Sequence, residues 1–291
     1  MKNKLYQIFL IFIFNFYFNF NAHSADQFNF DVTELEIIEE GNKFIGKKGG
    51  IATSEDGTII KAKNFEYDKI KNILVAFGNV EIFDEKENIT IKSKKIIYFK
   101  NKELVFTYDK SKAISDGVII DADNFEYNKI SNIINANGNV KIDNIDENYL
   151  IYTNDATYLK NKELFLTKGQ SKAINEGIVI DADNFEYNKI KNVMNANGNV
   201  EIKDTINDYL VLAKKATYYK NSEKIITQGE TEAFIQSKYI INSKDVTYLH
   251  NKKVLSSQNK TKINDQNSQI YFADKFSYSI NQEIIKGEEF L

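Results

Sequence analysis

In the segment "IINANGNVKI", Ile134, Ala136, Gly138, Val140 and Ile142 alternate with Asn135, Asn137, Asn139 and Lys141. A period of two places successive side chains on opposite faces of a strand. A helix would space its apolar positions three and four apart. The same alternation recurs sixty residues earlier in Leu74, Ala76, Gly78, Val80 and Ile82, and sixty residues later in Met194, Ala196, Gly198, Val200 and Ile202. Each of these strands follows a related segment, "IIKAKNFEYDKIKN", "IIDADNFEYNKISN" or "VIDADNFEYNKIKN". The chain therefore predicts strands with one apolar and one wet face, written in repeats.

A finer period of about thirty lies inside the sixty. It is marked by Tyr67, Tyr98, Tyr127, Tyr158, Tyr187, Tyr218, Tyr248 and Tyr278. Two residues before each stands an apolar partner: Phe65, Ile96, Phe125, Ala156, Phe185, Ala216, Val246 and Phe276. A degenerate ninth unit is expected around Leu35 and Ile37. Asn-Lys pairs at 101–102, 161–162 and 251–252 supply turn residues, since Asn tolerates positive φ. Each unit then reads as one antiparallel hairpin, too small to bury much alone and obliged to stack on its neighbours. Nine units give roughly 16–18 strands. Ala122 and Phe125 are three apart and face inward together only if the strand is broken by a bulge near Asp123 or Asn124. The residues predict an all-β, elongated architecture, either a sandwich or an open fold with apolar faces opposed. A parallel β-helix is the alternative, but its coils are shorter and lack the Asn-Lys hairpin signal.

Composition narrows the chemistry. The 291 residues contain no Cys, Pro or Trp, which removes disulfides, thiolate nucleophiles and zinc-thiolate sites. A formal net charge of −3 offers nucleic acid no electrostatic footprint. At the N-terminus, Lys2 and Lys4 precede the apolar run "LYQIFLIFIF", and Ala22-His23-Ser24 fits a small-x-small cleavage site. We expect a signal peptide over residues 1–24 and an exported mature domain over 25–291; an uncleaved membrane anchor is the alternative. No later segment is long and apolar enough to span a bilayer as a helix.

No catalytic constellation emerges, and a non-enzyme is expected. The "DAD" triplets at 121–123 and 181–183 suggest a cation site, but Lys61 and Lys63 occupy the same places in the first repeat. We expect no metal and no cofactor. Glu66, Glu126 and Glu186 recur evenly on the wet face, unlike the paired acids of one hydrolytic cleft. His250, in "YLHNKK", reads as a surface turn residue. Gly78, Gly138 and Gly198 mark either a bulge, tight strand packing or an interior groove kept open.

The unit "IxADxFxYxK…NxAxGNVxI", carried by Ala122, Asp123, Phe125, Tyr127, Ala136, Gly138, Asn139 and Val140 and their counterparts, resembles the OstA-like family of lipopolysaccharide transport. That family includes the periplasmic bridge protein and the N-terminal periplasmic domain of the outer-membrane assembly protein. The stretch from Phe30 to Gly57 looks like the start of the latter. The resemblance covers nearly the whole mature chain, and it implies several things. The fold would be a repeat β-jellyroll opened into a V, located in the periplasm, possibly outer-membrane associated. The cargo would be the lipid A acyl chains of lipopolysaccharide. The partners would be other jellyroll transport proteins, joined end to end by strand pairing, and an outer-membrane assembly barrel. The inward stripe of Phe65, Leu74, Ala76, Val80, Phe125, Ile134, Ala136, Val140, Phe185, Met194, Ala196 and Val200 would then contact lipid, or would be ordinary core in a structural β-solenoid without cargo. The chain stops at "KGEEFL" where an assembly protein continues into a barrel, so it is read either as a truncated assembly protein or as a long bridge.

Overall fold

A computed structural model describes residues 28–288; the expected signal peptide lies outside the described residues. Within them the chain is an antiparallel ladder of 26 strands hydrogen-bonded into one continuous sheet. Eight pairs of consecutive short strands, such as Ile59–Ala62 with Asn64–Asp68 and Val118–Ala122 with Asn124–Asn128, are one chain pass broken once in the middle. Counting each pair as one pass leaves eighteen, within the range that the hairpin repeat predicts. At a strand spacing of about 4.8 Å, eighteen passes make a rod roughly 80 Å long.

The breaks line up, and the sheet folds along that line into two leaves. The long strand Ile73–Asp84 illustrates how. Its first half, from Ile73 to Phe77, pairs with Asn64–Asp68, while its second half pairs with Ile59–Ala62. Between the halves the register slips at Gly78 and Asn79, and likewise at Gly138-Asn139 and Gly198-Asn199. Both residues of each pair are left-handed, with φ of 74° at Gly138 and 50° at Asn139. The recurring "GN" is thus a two-residue bulge that re-aims the strand from one leaf to the other. Of the three sequence readings of these glycines, the bulge holds. A Cβ on Gly138 would lie 2.4 Å from Asp123 Oδ2. Asp123 is where the neighbouring pass breaks, its N–H donating to the Gly138 carbonyl at 2.9 Å. Ala122 and Phe125, on either side of that break, are both buried.

Backbone groups freed at the fold line find buried hydroxyls. Thr107 and Thr167 each accept the N–H of Phe125 and Phe185 at 2.7 Å, and Thr227 accepts that of Val246 at 2.9 Å. Each would otherwise be a buried unpaired donor.

One leaf carries the tyrosine stripe and the other an isoleucine stripe that includes Ile60, Ile82, Ile91, Ile120, Ile142, Ile151, Ile180 and Ile202, all buried. All eight tyrosines and all eight apolar partners two residues before them are buried as well. The leaves touch across the interior: Tyr149 on one stacks on Tyr187 of the other with ring centroids 4.9 Å apart. The V expected from the family resemblance is therefore filled. The ninth unit behaves differently. It forms the edge strand Phe28–Ile38, where Leu35 and Ile37 are 44% and 55% exposed. The Asn-Lys turns also differ in detail. At 100–103 and 160–163 the left-handed residue is Glu103 or Glu163, because a short 3-10 turn over Lys-Asn-Lys closes on it.

Candidate functional site: the apolar interior and its seam

All twelve residues of the inward stripe face the space between the leaves, and none is more than 2% exposed. They belong to one continuous apolar core. Strand alternation accounts for this. From Phe65 through Tyr67 to Lys69, or from Val140 through Ile142 to Asn144, every second side chain points inward until the strand reaches the rim of its leaf.

At the rim opposite the fold line, alternation brings charge inward. Two residues beyond the stripe tyrosines stand Lys69, Lys100, Lys129, Lys160, Lys189 and Lys220, then His250. Facing them on the isoleucine rim are Asp56, Asp84, Asp116, Asn144, Glu147 and Asp204. Lys129 Nζ lies 2.8 Å from Asp56 and 3.0 Å from Asp84. Lys100 reaches Asp56 at 3.6 Å, Lys160 reaches Asp116 at 2.7 Å, and Lys220 pairs with Glu147. His250 Nδ1 lies 3.0 Å from Asp204, so this histidine sits in the seam, against the expectation of a free surface turn. Lys238 and Glu283 bridge the same seam with reversed polarity at 2.6 Å. The leaves are thus joined by backbone along one edge and by side chains along the other.

Burial sets the electrostatics. Although burial pushes the Asp56 carboxyl up, hydrogen bonds from Lys129 and Ser54 hold it well below the usual carboxylate range. Burial pulls Lys129 down, yet its bonds to Asp56 and Asp84 carry it above an ordinary lysine. Burial also raises Asp204, and hydrogen bonds from Tyr248 and Asn207 outweigh that. The Lys129 and Asp84 side chains are 7% and 6% exposed. Removing Lys129 would leave the buried Asp84 carboxylate without its counter-ion, at a cost of about 3–5 kcal/mol, whereas Lys129 without Asp84 still has Asp56.

The tyrosine hydroxyls finish the seam. Tyr67 donates to Asn72 at 3.0 Å, Tyr158 to Glu163 at 2.9 Å, and Tyr187 to Asn192 at 3.1 Å, each binding the residue that ends its own hairpin turn. Tyr127 and Tyr248 also cross the seam, donating to Asp84 at 3.2 Å and to Asp204 at 2.5 Å.

The acids flagged in the sequence lie elsewhere. Asp121 and Asp181 pair with Lys112 and Lys172 on the outer face, at 2.8 Å and 3.6 Å. Asp123 and Asp183 accept from Asn139 and Asn199 at the fold line. The seam lysines were legible as the third member of "F-x-Y-x-K". Their acidic partners, 44, 45 or 73 residues away in sequence, were not.

No family model matches the sequence, and no curated protein is significantly similar to it. Among solved structures, one similar chain is LptH from Pseudomonas aeruginosa, described as the LptA-homologous periplasmic component of the lipopolysaccharide transport device. It is 16% identical, with 39% of this chain and 85% of that one covered and a TM-score of 0.35. Another is the TCP10 domain of Danio rerio CPAP, solved with a STIL peptide. It is 8% identical, with 81% and 96% covered and a TM-score of 0.17. Both scores lie below 0.5, and neither establishes a shared fold.

Proposed function

We propose that this chain is a non-enzymatic periplasmic module that holds the acyl chains of an amphiphilic lipid between its leaves. The repeat motif points to lipopolysaccharide as that lipid. The observation that carries the reading is the asymmetry of the two long edges. One is continuous backbone and the other is side-chain pairs, so the leaves can part along the seam without breaking a strand ladder. Behind the seam runs an unbroken apolar stripe. Each acyl methylene transferred into it is worth roughly 0.8 kcal/mol. Near-identical sites repeated along the rod give a lipid little reason to stop, so it slides.

The rod ends suit end-to-end strand pairing with other jellyroll proteins or an outer-membrane assembly barrel. Among the described residues, Phe28–Ile38 pairs on one side only, with Lys43–Ser54. At the other end Ile270–Ala273 pairs only with Thr261–Asp265, and it leaves Ile270 and Phe272 half exposed. Unpaired edges accept another strand.

A second reading, a structural rod without cargo, is favoured by the packing of the interior, where the whole stripe is shut from solvent. A photoreactive residue at Ile134, with Asn135 on the opposite face as control, separates the two in cells making labelled lipopolysaccharide. Crosslinking at 134 and not at 135 is the expected outcome. A folded protein that crosslinks at neither would establish the rod.

A further inference from the structure

The three sixty-residue repeats do not close the seam equally. In the first, Asp84 takes Tyr127 Oη at 3.2 Å and Lys129 at 3.0 Å. In the third, Asp204 takes Tyr248 Oη at 2.5 Å and His250 at 3.0 Å. In the second, the same position is Asn144, 1% exposed, and neither its amide nitrogen nor its oxygen has a hydrogen-bond partner. It lies against Tyr187 and favours its phenolate, but the two do not form a well-aligned hydrogen bond. Lys189, which corresponds to Lys129, turns instead to Glu163 on its own rim at 3.3 Å and to the Asp116 carbonyl at 2.7 Å.

The next residue outward on each rim sharpens the contrast. The first repeat sets Glu85 against Ile130, and the third sets Thr205 against Asn251. Only the second has isoleucine on both rims, Ile145 and Ile190, which are 61% and 72% exposed. A neutral, unpaired amide thus sits beneath a pair of exposed apolar side chains where its neighbours have a buried carboxylate beneath a polar one. Parting the leaves here breaks no buried charge pair at position 144; it has only to separate Lys189 from the Asp116 carbonyl and Lys220 from the part-exposed Glu147. At Asp84 and Asp204 the same motion strands a buried carboxylate.

Building on the lipid-carrying reading, we infer that the seam opens at the middle repeat, between the turns at 145–148 and 189–192, and that an acyl chain passes there sideways into the interior. The isoleucines shield the chain from water as it crosses the rim, and the Asn144 amide gives an ester carbonyl or hydroxyl next to the chain a buried partner.

The chain has no cysteine, so paired cysteines can be bridged selectively. Ile145→Cys with Ile190→Cys joins the middle rims through a cleavable bis-maleimide, and Glu85→Cys with Ile130→Cys does so at the first repeat. These side chains lie on exposed turns, so the folded state is kept and is checked by circular dichroism. The probe is cis-parinaric acid, whose fluorescence rises in an apolar site. Bridging the middle pair should slow uptake by roughly tenfold or more, the factor that about 1.4 kcal/mol of barrier produces. Cleaving the linker should restore it, and bridging the first pair should leave it unchanged. Asn144→Asp, which gives Lys189 a carboxylate to reach, should slow uptake in the same direction. Uptake that is indifferent to the middle bridge overturns the gate and leaves the lipid reading standing. A wild-type protein that takes up no probe overturns both.

Discussion

The stripe tyrosines show why this position holds a phenol. The ring fills the interior, and in six of the eight the hydroxyl binds the last residue of its own turn or a carboxylate across the seam; Tyr218 binds Asn175 across it, and Tyr278 Oη has no hydrogen-bond partner. Phenylalanine would fill the same space and leave the rim group unpaired. Burial therefore favours the neutral phenol. It raises Tyr98, Tyr127, Tyr158, Tyr218 and Tyr248, and it pushes Tyr187 up to about 12, with help from the charge on Glu147. A folded pKa above the unfolded value of 10.0 contributes stability that is whole below pH 10.0 and is lost as pH climbs toward about 12. The urea midpoint should accordingly be insensitive to these rings up to pH 10.0 and then fall steeply, in step with phenolate absorbance. A midpoint that stayed level to pH 12 would mean that the rings meet water.

At the scale of the element, the informative unit is the long strand bent at its "GN" bulge. Gly138 at φ 74° and Asn139 at 50° are both left-handed, a conformation that costs most other residues roughly 1–2 kcal/mol each. Asn adopts it at low cost. Gly138 has the further constraint of Asp123 close behind it. Gly138→Ala should lower stability by about 1–2 kcal/mol, whereas Asn139→Gly should be nearly neutral. Denaturant titration of the two variants separates the effects, and equal losses would contradict this account of the bulge. The sequence alternation runs through the bulge without changing phase, because Ala136 and Val140 stay an even number of residues apart and the one-residue slip falls on the partner strand, between Thr153 and Ala156. That made the strand easy to read and the bend hard to see. The neighbouring break at Asp123 was visible because it inserts a single residue and shifts the phase.

On the scale of the whole molecule, stacking is one-dimensional. Each pass pairs with its neighbours, so a repeat can be removed without leaving a gap. Deleting residues 121–180 joins Ile120 to Asp181, the equivalent of Asp121, and removes four passes. The shortened chain should fold with the same β spectrum. Its urea m-value should fall by about a fifth, in proportion to the surface buried. A chain that fails to fold would mean that the middle repeat, whose Tyr149 and Phe165 stack on Tyr187 of the next one, is needed as a nucleus rather than as one link among equals.

Periodicity alone determined that the chain is β, how many passes it makes, which side chains face inward, and that the phase breaks at Asp123. These are local consequences of side-chain alternation, and alternation is written into neighbouring residues. The folding of one sheet into two leaves, the filling of the space between them, and the seam were decided only in three dimensions. A cross-seam pair such as Lys129 with Asp56 or Lys220 with Glu147 joins residues 73 apart. Their separation depends on how far the sheet has advanced between passes, a quantity that no local pattern carries. The change from Asp84 to Asn144 was plain to read in the sequence. It acquired a consequence only when the fold set it against Lys189 and Ile190 on the opposite rim.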